Sequence, residues 1–491
     1  MARQISFDQI PSDIRNPLFY AEVTNQKAGY YHQNSRSLII GQAVGAVASE
    51  VPVLVPSVDY VKDTYGAGSQ LAIMVDAFRD NNSYSELWVL PLADAAASVA
   101  ATGTLTVTGT ATESGTVSLY IGDTLISAPV ASADDATAVA ASIVAEIDLN
   151  KDLPVTATNS LGVVTITAKN KGTLGNSIKL QTNFAGTLAG EKTPAGISIA
   201  IVAMASGATN PTLSAKLAAI GSMDIAFYGH PYTDSTSLNT MRDYLEARWD
   251  ALVGQDGHAF TALSDTVSAL QTVGLARNDP NHTIVGYEDT NPTWAPKLLG
   301  AYLGKASHSL SIDPARTLQT LVLRTIEVPK EAQQFTLSNR ATLLNSGIAT
   351  LMYAGQRAQI ERAITTYQLN SYGQIDPSYL DVTTRTALSY IKKSVAYRIT
   401  NRYPRSKLAA DGTRFGAGSN IVTPKDIRGE LIAWYGTLER EGICQNVEGF
   451  KDKLVVQLNN QDPNRVDVLL PPTLINNLVV FATKVEFRLR T

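Results

Sequence analysis

The end of the chain alternates apolar and polar residues with the period of a β-strand, and this pattern constrains the fold more than any other feature. Residues 453–459 and 465–470 predict the two strands of a hairpin, joined by a turn rich in Asn, Asp and Pro. The apolar positions of the predicted hairpin are Leu454, Val456, Leu458, Val466 and Val468. An isolated hairpin is marginal in water and leaves two edges unpaired, so a further strand is expected to pair with it.

A last strand is predicted to follow this hairpin. Two prolines at 471 and 472 end the second hairpin strand, because proline has no backbone N–H to donate to a sheet. Beyond them, an apolar face of Val485, Phe487 and Leu489 alternates with charged residues. Such alternation predicts a strand ordered by pairing, either as a third strand of its own hairpin or by exchange between subunits.

A similar strand is predicted near the start of the chain. Residues 16–23 form a short apolar stretch behind a leader that contains Pro11. The apolar positions of this stretch are Leu18, Phe19, Tyr20 and Val23. Because an interlaced lattice needs an apolar strand at each end of its subunit, the two termini together favour strand exchange, and an assembly protein over an enzyme.

The composition is that of a globular chain long enough for two to four domains. Of the 491 residues, 44% are hydrophobic and 17% are charged, which is too few charges for a disordered protein. The net charge of −4 argues against nucleic-acid binding, which needs clustered Lys and Arg. The single cysteine, Cys444, excludes an intrachain disulfide. Prolines and acidic residues within 1–19 argue against a secretory signal, and polar residues interrupt the apolar stretch 38–55 before it could span a membrane.

A change of composition predicts an inserted domain at residues 95–205. This segment contains only Tyr120 and Phe184 as aromatic residues and is rich in Thr, Ala, Gly and Ser. Its patterns predict several strands and one helix over 134–147. Because large apolar side chains are scarce, the expected core is thin and the domain is expected to project into solvent.

On either side of the insertion, the chain predicts an α/β body at 25–94 and 206–375. Strands at 224–228, 258–263 and 283–287 alternate with helical patterns, which indicates a parallel sheet covered by helices. A hairpin-like region at 347–366 follows. The predicted fold is therefore a multidomain α/β and α+β chain, with a β-rich insertion in the body and a C-terminal module completed by exchanged strands.

The C-terminal module is predicted over residues 376–475, between the body and the arm strand 476–491. It opens with a long helix at about 377–402, and a second helix begins after Thr423, an N-cap residue followed by Pro424. The apolar stripe of the second helix is expected to pack on the terminal hairpin; it consists of Ile427, Leu431, Trp434 and Leu438.

Signals of catalysis are weak. The five histidines are scattered along the sequence, and no pair has the spacing of zinc ligands. A glycine-rich stretch at 65–69 lacks the lysine of a phosphate-binding loop. The first body strand ends in Tyr228-Gly229-His230-Pro231, which is not a dinucleotide fingerprint. No catalytic, cofactor-binding or metal-binding residue is predicted.

Several segments together resemble the contractile tail sheath proteins of Mu-like phages. The resemblance covers both ends and most of the body, but it does not extend to the inserted domain. Its motifs are Ser6–Arg15 with Pro17 and Tyr20, Leu38–Gln42, Tyr65–Ser69, Leu90–Leu92, Ile360–Tyr367, Pro424 with Ile427-Arg428, Leu438-Glu439, Asn446, Phe450-Lys451, Pro463–Arg465 and the final strand.

The resemblance implies a structural subunit that polymerises in stacked six-fold rings around a tail tube. Each subunit would lend its N-terminal arm, residues 1–24, and its C-terminal arm to neighbouring subunits. On triggering, the sheath would shorten and drive the tube through the host envelope without a cofactor. The implied partners are further sheath copies, the tube protein, the baseplate and a tail terminator, with no nucleic acid and no membrane insertion. The implied location is the virion tail, after assembly in the host cytoplasm.

The same resemblance places the terminal module at the inner radius, where one helix face could meet the tube. That face carries Lys425, Arg428, Glu439 and Arg440. An ordinary solvated helix surface explains these residues equally well.

Two other classes stay open from the residues alone. A tail-tube or capsid protein would share the assembly features, although a tube protein would be shorter and mostly β. A carbohydrate-active enzyme with a β-rich accessory domain would need a cleft with paired carboxylates and many exposed aromatic residues. Aromatic residues make up 7% of the chain and lie mainly outside the insertion, which argues against that enzyme.

Overall fold

A computed structural model describes residues 35–45, 47–416 and 419–489 of the chain. The predicted N-terminal strand at 16–23, with Leu18, Phe19, Tyr20 and Val23, lies outside the described residues. The strands in chain order are β1 Ser37–Gln42, β2 Val53–Leu54, β3 Leu87–Leu92, β4 Ala100–Gly109, β5 Gly115–Ile121, β6 Thr124–Val130, β7 Val155–Ser160, β8 Val163–Lys171, β9 Leu180–Thr182, β10 Ile197–Ala205, β11 Phe227–Gly229, β12 His258–Asp265, β13 His282–Glu288, β14 Ala349–Tyr353, β15 Ala358–Arg362, β16 Lys407–Leu408, β17 Ile421–Val422, β18 Cys444–Gln445, β19 Val455–Leu458, β20 Val466–Leu469 and β21 Thr473–Leu474.

The helices divide between the body, the insertion and the C-terminal module. The α-helices in chain order are α1 Val58–Tyr65, α2 Gln70–Asn81, α3 Ala136–Leu149, α4 Ser214–Ala218, α5 Ser235–Trp249, α6 Val267–Leu275, α7 Ala295–Ile312, α8 Leu337–Asn345, α9 Val382–Arg402, α10 Pro424–Arg440 and α11 Val447–Lys453. Short 3₁₀ helices occupy Thr173–Ser177, Thr187–Ala189 and Glu331–Gln333.

The body is built on an eight-stranded sheet in the order β15-β14-β13-β12-β11-β1-β3-β2. Its inner strands are parallel, and antiparallel pairs occur only at the two ends, β14 with β15 and β2 with β3. Strands β1 and β13 are buried at every position, as expected for a parallel sheet with helices on both faces. The predicted alternation of strands and helices between 224 and 312, and the hairpin after it, are confirmed.

Two helices approach each other unusually closely on one face of the sheet. α2 and α7 cross where α7 carries Gly300 and Gly304. A Cβ atom added at Gly300 would lie 2.2 Å from the carbonyl oxygen of Met74, and one at Gly304 would lie 2.6 Å from that of Phe78. The contact between the helix backbones therefore requires glycine at both positions.

The inserted region folds as two small sheets around one helix. One sheet has the order β10-β4-β8-β7, the other has the order β6-β5-β9, and α3 buries Val139, Ile143 and Ile147 between them. The helix and most strands agree with the sequence patterns, whereas β10 was not predicted. The apolar residues of the inserted region belong to the same hydrophobic cluster as body residues such as Leu38 and Tyr228, so the core of the insertion is continuous with that of the body.

Polar contacts also fasten the insertion to the body. The Asn170 side chain accepts from the backbone N of Gln70 at 2.8 Å and donates to the carbonyl oxygen of Ala43 at 2.8 Å. The indole Nε1 of Trp294 donates to the carbonyl oxygen of Leu174 at 3.0 Å. These bonds join loops distant in sequence, which is why residue patterns did not predict them.

The C-terminal module packs around α10. Thr423 and Asp426 form the predicted N-terminal cap, in which the side chain of each accepts from the backbone N–H of the other. The four stripe residues of α10 are buried in a cluster that also contains Ile391 of α9 and Phe450 of α11, while the hairpin residues Val456 and Val466 pack against its edge. The stripe therefore contacts the hairpin, as predicted, and the helices α9 and α11 as well.

Candidate assembly interface

The terminal hairpin leaves backbone edges without partners inside the described part of the chain. β19 and β20 form a sheet of two strands, with Val456 opposite Val468 and Leu458 opposite Val466. Val456, Leu458 and Val466 are half-buried, whereas Val468 is 41% exposed. Leu454 lies before the hairpin, at the end of α11, and is buried in the core of the module. The hairpin therefore has an anchored face and edges suited to accept a further strand.

The chain beyond the hairpin first returns to the module and then leaves it. β21 pairs with β18, and the backbone N of Ile475 donates to the carbonyl oxygen of Ile443 at 3.2 Å. The Asn477 amide donates to Thr383 Oγ1 at 2.9 Å. Residues 475–489 form neither a helix nor a strand, so the described residues do not show the alternative in which the last strand completes its own hairpin.

The described part of the C-terminal arm exposes large apolar side chains from residue 478 to residue 489. These side chains are between 75% and 83% exposed; they are Leu478, Val480, Phe481, Val485, Phe487 and Leu489. Full burial of such a side chain is worth about 1.5–3 kcal/mol, so a partner that covered half of them would gain roughly 5–9 kcal/mol. Strand pairing between copies needs both an exposed apolar arm and a hairpin with a free edge, and the described residues contain both.

The four charged residues proposed to face a tube do not share one environment. Arg428 donates to the carbonyl oxygen of Lys451, and Glu439 accepts from the backbone N of Val447 at 3.1 Å. Both side chains thus link α10 to α11 and are half-buried. Lys425 and Arg440 are exposed, which leaves these two as the members of the set with accessible charge.

The body sheet brings together three of the five histidines that are scattered in the sequence. His230 follows β11, while His258 and His282 begin β12 and β13. The rings of His230 and His282 lie 5.0 Å apart, and Thr261 Oγ1 lies 3.2 Å from Nε2 of His282. The histidines meet because their strands pair in parallel in the sheet. Their spacing in the sequence does not predict this cluster.

Burial keeps these histidines neutral. Desolvation lowers the pKa of His230 to about 4 and that of His258 to about 3, and it holds the pKa of His282 well below the ordinary value. All three side chains are at most 3% exposed. At this degree of burial the three side chains contribute to packing and hydrogen bonding inside the sheet.

The described ranges contain no metal-binding cluster and no membrane-spanning helix. No group of three or more His, Cys, Asp or Glu side chains is placed there to hold a metal ion. No helix within the same ranges is both long and apolar enough to cross a membrane.

Comparison with known proteins agrees with the assembly features. Residues 206–366 match the phage tail sheath protein central domain, and residues 374–488 match the phage tail sheath C-terminal domain. The chain is 39% identical over 488 residues to the Mu-like prophage FluMu tail sheath protein of Haemophilus influenzae, covering 98% of this chain and 99% of that protein.

A solved structure shares the fold at low sequence identity. The sheath tail protein of Desulfitobacterium hafniense aligns with a TM-score of 0.50 and 13% identity, over 94% of this chain and 97% of that one. The matched domains include the body strands from β11 onward and the whole terminal module. The chain belongs to the phage tail sheath family, whose members are structural proteins of contractile tails and not enzymes.

Proposed function

We propose that this protein polymerises in stacked six-fold rings around a tail tube and contracts to drive the tube through the host envelope during genome delivery. Two observations carry the proposal together: the C-terminal arm is exposed, and the two-stranded hairpin has edges that are unpaired within the described residues. Family membership supplies the context of a contractile tail.

Strand exchange is the proposed link between subunits. Val485, Phe487 and Leu489 of one copy pair along β19 or β20 of another copy, and the N-terminal stretch with Leu18, Phe19, Tyr20 and Val23 adds a second strand from a further neighbour. About five ladder hydrogen bonds at roughly 1 kcal/mol each, together with the buried apolar side chains, stabilise such a junction by several kcal/mol. Repetition of the junction around a ring multiplies this stability.

Contraction is possible because two kinds of contact join the subunits, those between globular bodies and those through the paired arms. Contacts between bodies are replaced during the stroke, while the paired arms keep each subunit attached to its neighbours. The free energy of the stroke is stored in the metastable extended lattice, so no cofactor and no nucleotide are required.

The proposed partners are further copies of this chain, the tail tube protein, the baseplate and a tail terminator. Nucleic acid and membrane insertion have no part in the mechanism. The protein assembles in the host cytoplasm and acts in the virion tail.

The test is substitution of the apolar face of the arm. The triple variant Val485→Asp, Phe487→Asp and Leu489→Asp should no longer polymerise. It should still fold as a monomer, because the three native side chains are 79–82% exposed in the single chain. The matched control changes the opposite face, with Lys484→Ala, Glu486→Ala and Arg488→Ala, and should still form tubes in electron micrographs. Polymerisation of the Asp variant would refute strand exchange through the arm.

A further inference from the structure

The charge of the chain is divided unevenly along its length. Residues 376–491, the C-terminal module and arm, contain 17 Lys and Arg against 12 Asp and Glu, a net charge of +5. Residues 1–375 contain 23 Lys and Arg against 32 Asp and Glu, a net charge of −9. Opposite net charges on two parts of one chain favour contacts in which the terminal module of one copy meets the body of another.

One loop of the terminal module concentrates positive charge, and we call its three exposed cations the basic patch. They are Arg405, Lys407 and Arg414. The short strands β16 and β17 hold the base of this loop, where the backbone N of Lys407 donates to the carbonyl oxygen of Asn420 at 2.8 Å. The patch is therefore presented by paired backbone.

The carboxylates of the same region are already engaged inside the module. Asp411 accepts from the backbone N of Lys425 at 3.0 Å. Glu430 forms ion pairs with both Arg398 and Arg402, which links α10 to the end of α9. Among the residues that the structure describes, the three cations of the basic patch form no ion pair, so their charge is available to a partner.

The basic patch is remote from the body of its own chain. α9 meets the body near its start, where Arg385 stacks on Trp249. An α-helix rises about 1.5 Å per residue, so Arg402, the last residue of α9, lies roughly 25 Å further along the helix. The patch follows directly after Arg402, which favours a partner in another copy.

Negative charge is concentrated on the helices α1 and α2 of the body. Asp59 and Asp63 are four residues apart on α1, and Asp80 follows Asp76 at the same spacing on α2. Lys62 of α1 pairs with Asp76 at 3.4 Å, so the two helices lie side by side. The other three carboxylates are exposed and form no ion pair within the described ranges; we call Asp59, Asp63 and Asp80 the acidic patch.

The acidic patch is crowded with like charge. Carboxylates spaced four residues apart on a helix repel each other and lower its stability. Burial and the charge of Asp76 raise the pKa of Asp80. A partner that brings cations relieves this repulsion. Each patch also adjoins an exposed aromatic ring, since Tyr60 is 38% exposed beside Asp59 and Phe415 is 44% exposed beside the basic patch, and these rings supply apolar area to a contact.

We propose that the basic patch of one copy docks on the acidic patch of a second copy. The contact is heterologous, because each copy uses a different surface for each of its two neighbours. It therefore propagates through a ring or a stack and does not stop at a dimer. This inference rests on the proposed polymerisation and adds to it a contact separate from the arm. The charges on both sides are exposed, so the contact weakens as the ionic strength rises.

Charge reversal tests the docking through tube formation by the full-length protein in electron micrographs. The basic-patch variant carries Arg405→Glu, Lys407→Glu and Arg414→Glu. The acidic-patch variant carries Asp59→Lys, Asp63→Lys and Asp80→Lys. Each variant alone should raise the critical concentration for tubes at least about tenfold, because attractive pairs become repulsive. A one-to-one mixture of the two variants should recover most of this loss, since unlike patches then face each other between the two kinds of subunit.

The matched control makes the same change of net charge at exposed positions outside both patches. It carries Lys192→Glu, Arg316→Glu and Arg357→Glu, and its critical concentration should stay within about twofold of the parent value. An unchanged thermal midpoint checks that every variant stays folded.

Three outcomes would overturn the docking and leave the proposed polymerisation standing. They are a mixture that assembles no better than either variant, equal losses in the control and the basic-patch variant, and a loss confined to assembly on tail tubes, which would assign the basic patch to the tube. A parent protein that forms no tubes would instead contradict the proposed function itself, and the docking with it.

Discussion

The guanidinium carbon of Arg385 lies 3.7 Å from the centre of the Trp249 indole ring. Arg385 is in the first turn of α9 and Trp249 is the last residue of α5, so this stacked pair joins the C-terminal module to the body. Burial lowers the pKa of Arg385, yet its neighbours include Asp256 and Asp279, which favour the charged form. The contact combines a cation–π interaction with a hydrogen bond to Asn281.

Arg385→Ala should lower the free energy of unfolding by about 3 kcal/mol, because it removes a buried cation from its aromatic and carboxylate partners. Arg385→Lys should recover less than half of the loss, since an ammonium group cannot stack flat on the indole. Denaturant unfolding followed by tryptophan fluorescence measures both. Arg402→Ala, at an exposed position on the same helix, is the control and should stay within about 0.5 kcal/mol of the parent protein. Equal losses in the free energy of unfolding for Arg385→Ala and Arg402→Ala would contradict a stabilising contact between Arg385 and Trp249.

The buried histidines should make the body sensitive to acid. Their pKa values are lowered in the folded state. Below pH 6.5 these histidines are therefore protonated in the unfolded chain while they stay neutral in the folded chain. The three neutral histidines therefore make their full contribution to the free energy of unfolding above about pH 6.5. This contribution is lost as the pH falls toward 4, by about 1.4 kcal/mol per pH unit for each histidine. Asp279, whose pKa is raised to about 6 by burial, opposes part of this trend below pH 6.

A single substitution isolates one histidine. Gln can replace the Nε2 contact of His258 with Thr283, so His258→Gln should fold. The loss of stability between pH 7 and pH 5 should then be smaller by about 2 kcal/mol than in the parent protein, and Asp279 cancels from the comparison. Chemical denaturation at the two pH values gives the difference. An identical pH dependence in both proteins would show that His258 is not held neutral.

The inserted region should not be removable without cost to the body. A Gly/Ser linker in place of residues 95–205 would uncover Trp294, which is 5% exposed and donates to Leu174, and would break the bonds that Asn170 makes with the body. We expect a lower thermal midpoint of the remaining body and, as a result, poor assembly. An unchanged midpoint with normal assembly would instead support the independent, projecting domain expected from composition.

Contact with a tail tube should depend on Lys425 and Arg440 if it involves α10. Reversal of both charges (Lys425→Glu and Arg440→Glu) should weaken assembly on tubes and leave polymerisation without tubes intact. Arg428 is left unchanged because it donates to the carbonyl oxygen of Lys451 and supports the module itself. Single exposed pairs are worth under about 1 kcal/mol, so the double variant is needed and the effect should weaken at high salt. Equal loss in both assays would assign these residues to contacts between sheath subunits.

Local sequence patterns were sufficient for elements whose signals lie within one segment. The cap at Thr423, the stripe of α10 and the pairing of β19 with β20 follow from residue spacing, and all three are present. The parallel order of β11, β12 and β13 follows from the intervening helices.

Contacts between distant segments were not predictable in this way. The docking of Asn170 on the body, the histidine cluster and the Arg385–Trp249 pair depend on which loops meet in space. The partner of the C-terminal arm could not be predicted either, because an alternating pattern predicts a strand but not the strand with which it pairs. The pairing partner of the arm therefore has to be determined on an assembled sample.

The most direct test is a cryo-electron microscopy structure of the assembled sheath. Strand exchange predicts that residues 484–489 form a strand paired with β19 or β20 of a different subunit, with Val485, Phe487 and Leu489 buried. A map in which these residues pair with the hairpin of their own subunit, or lie unpaired on the sheath surface, would contradict it.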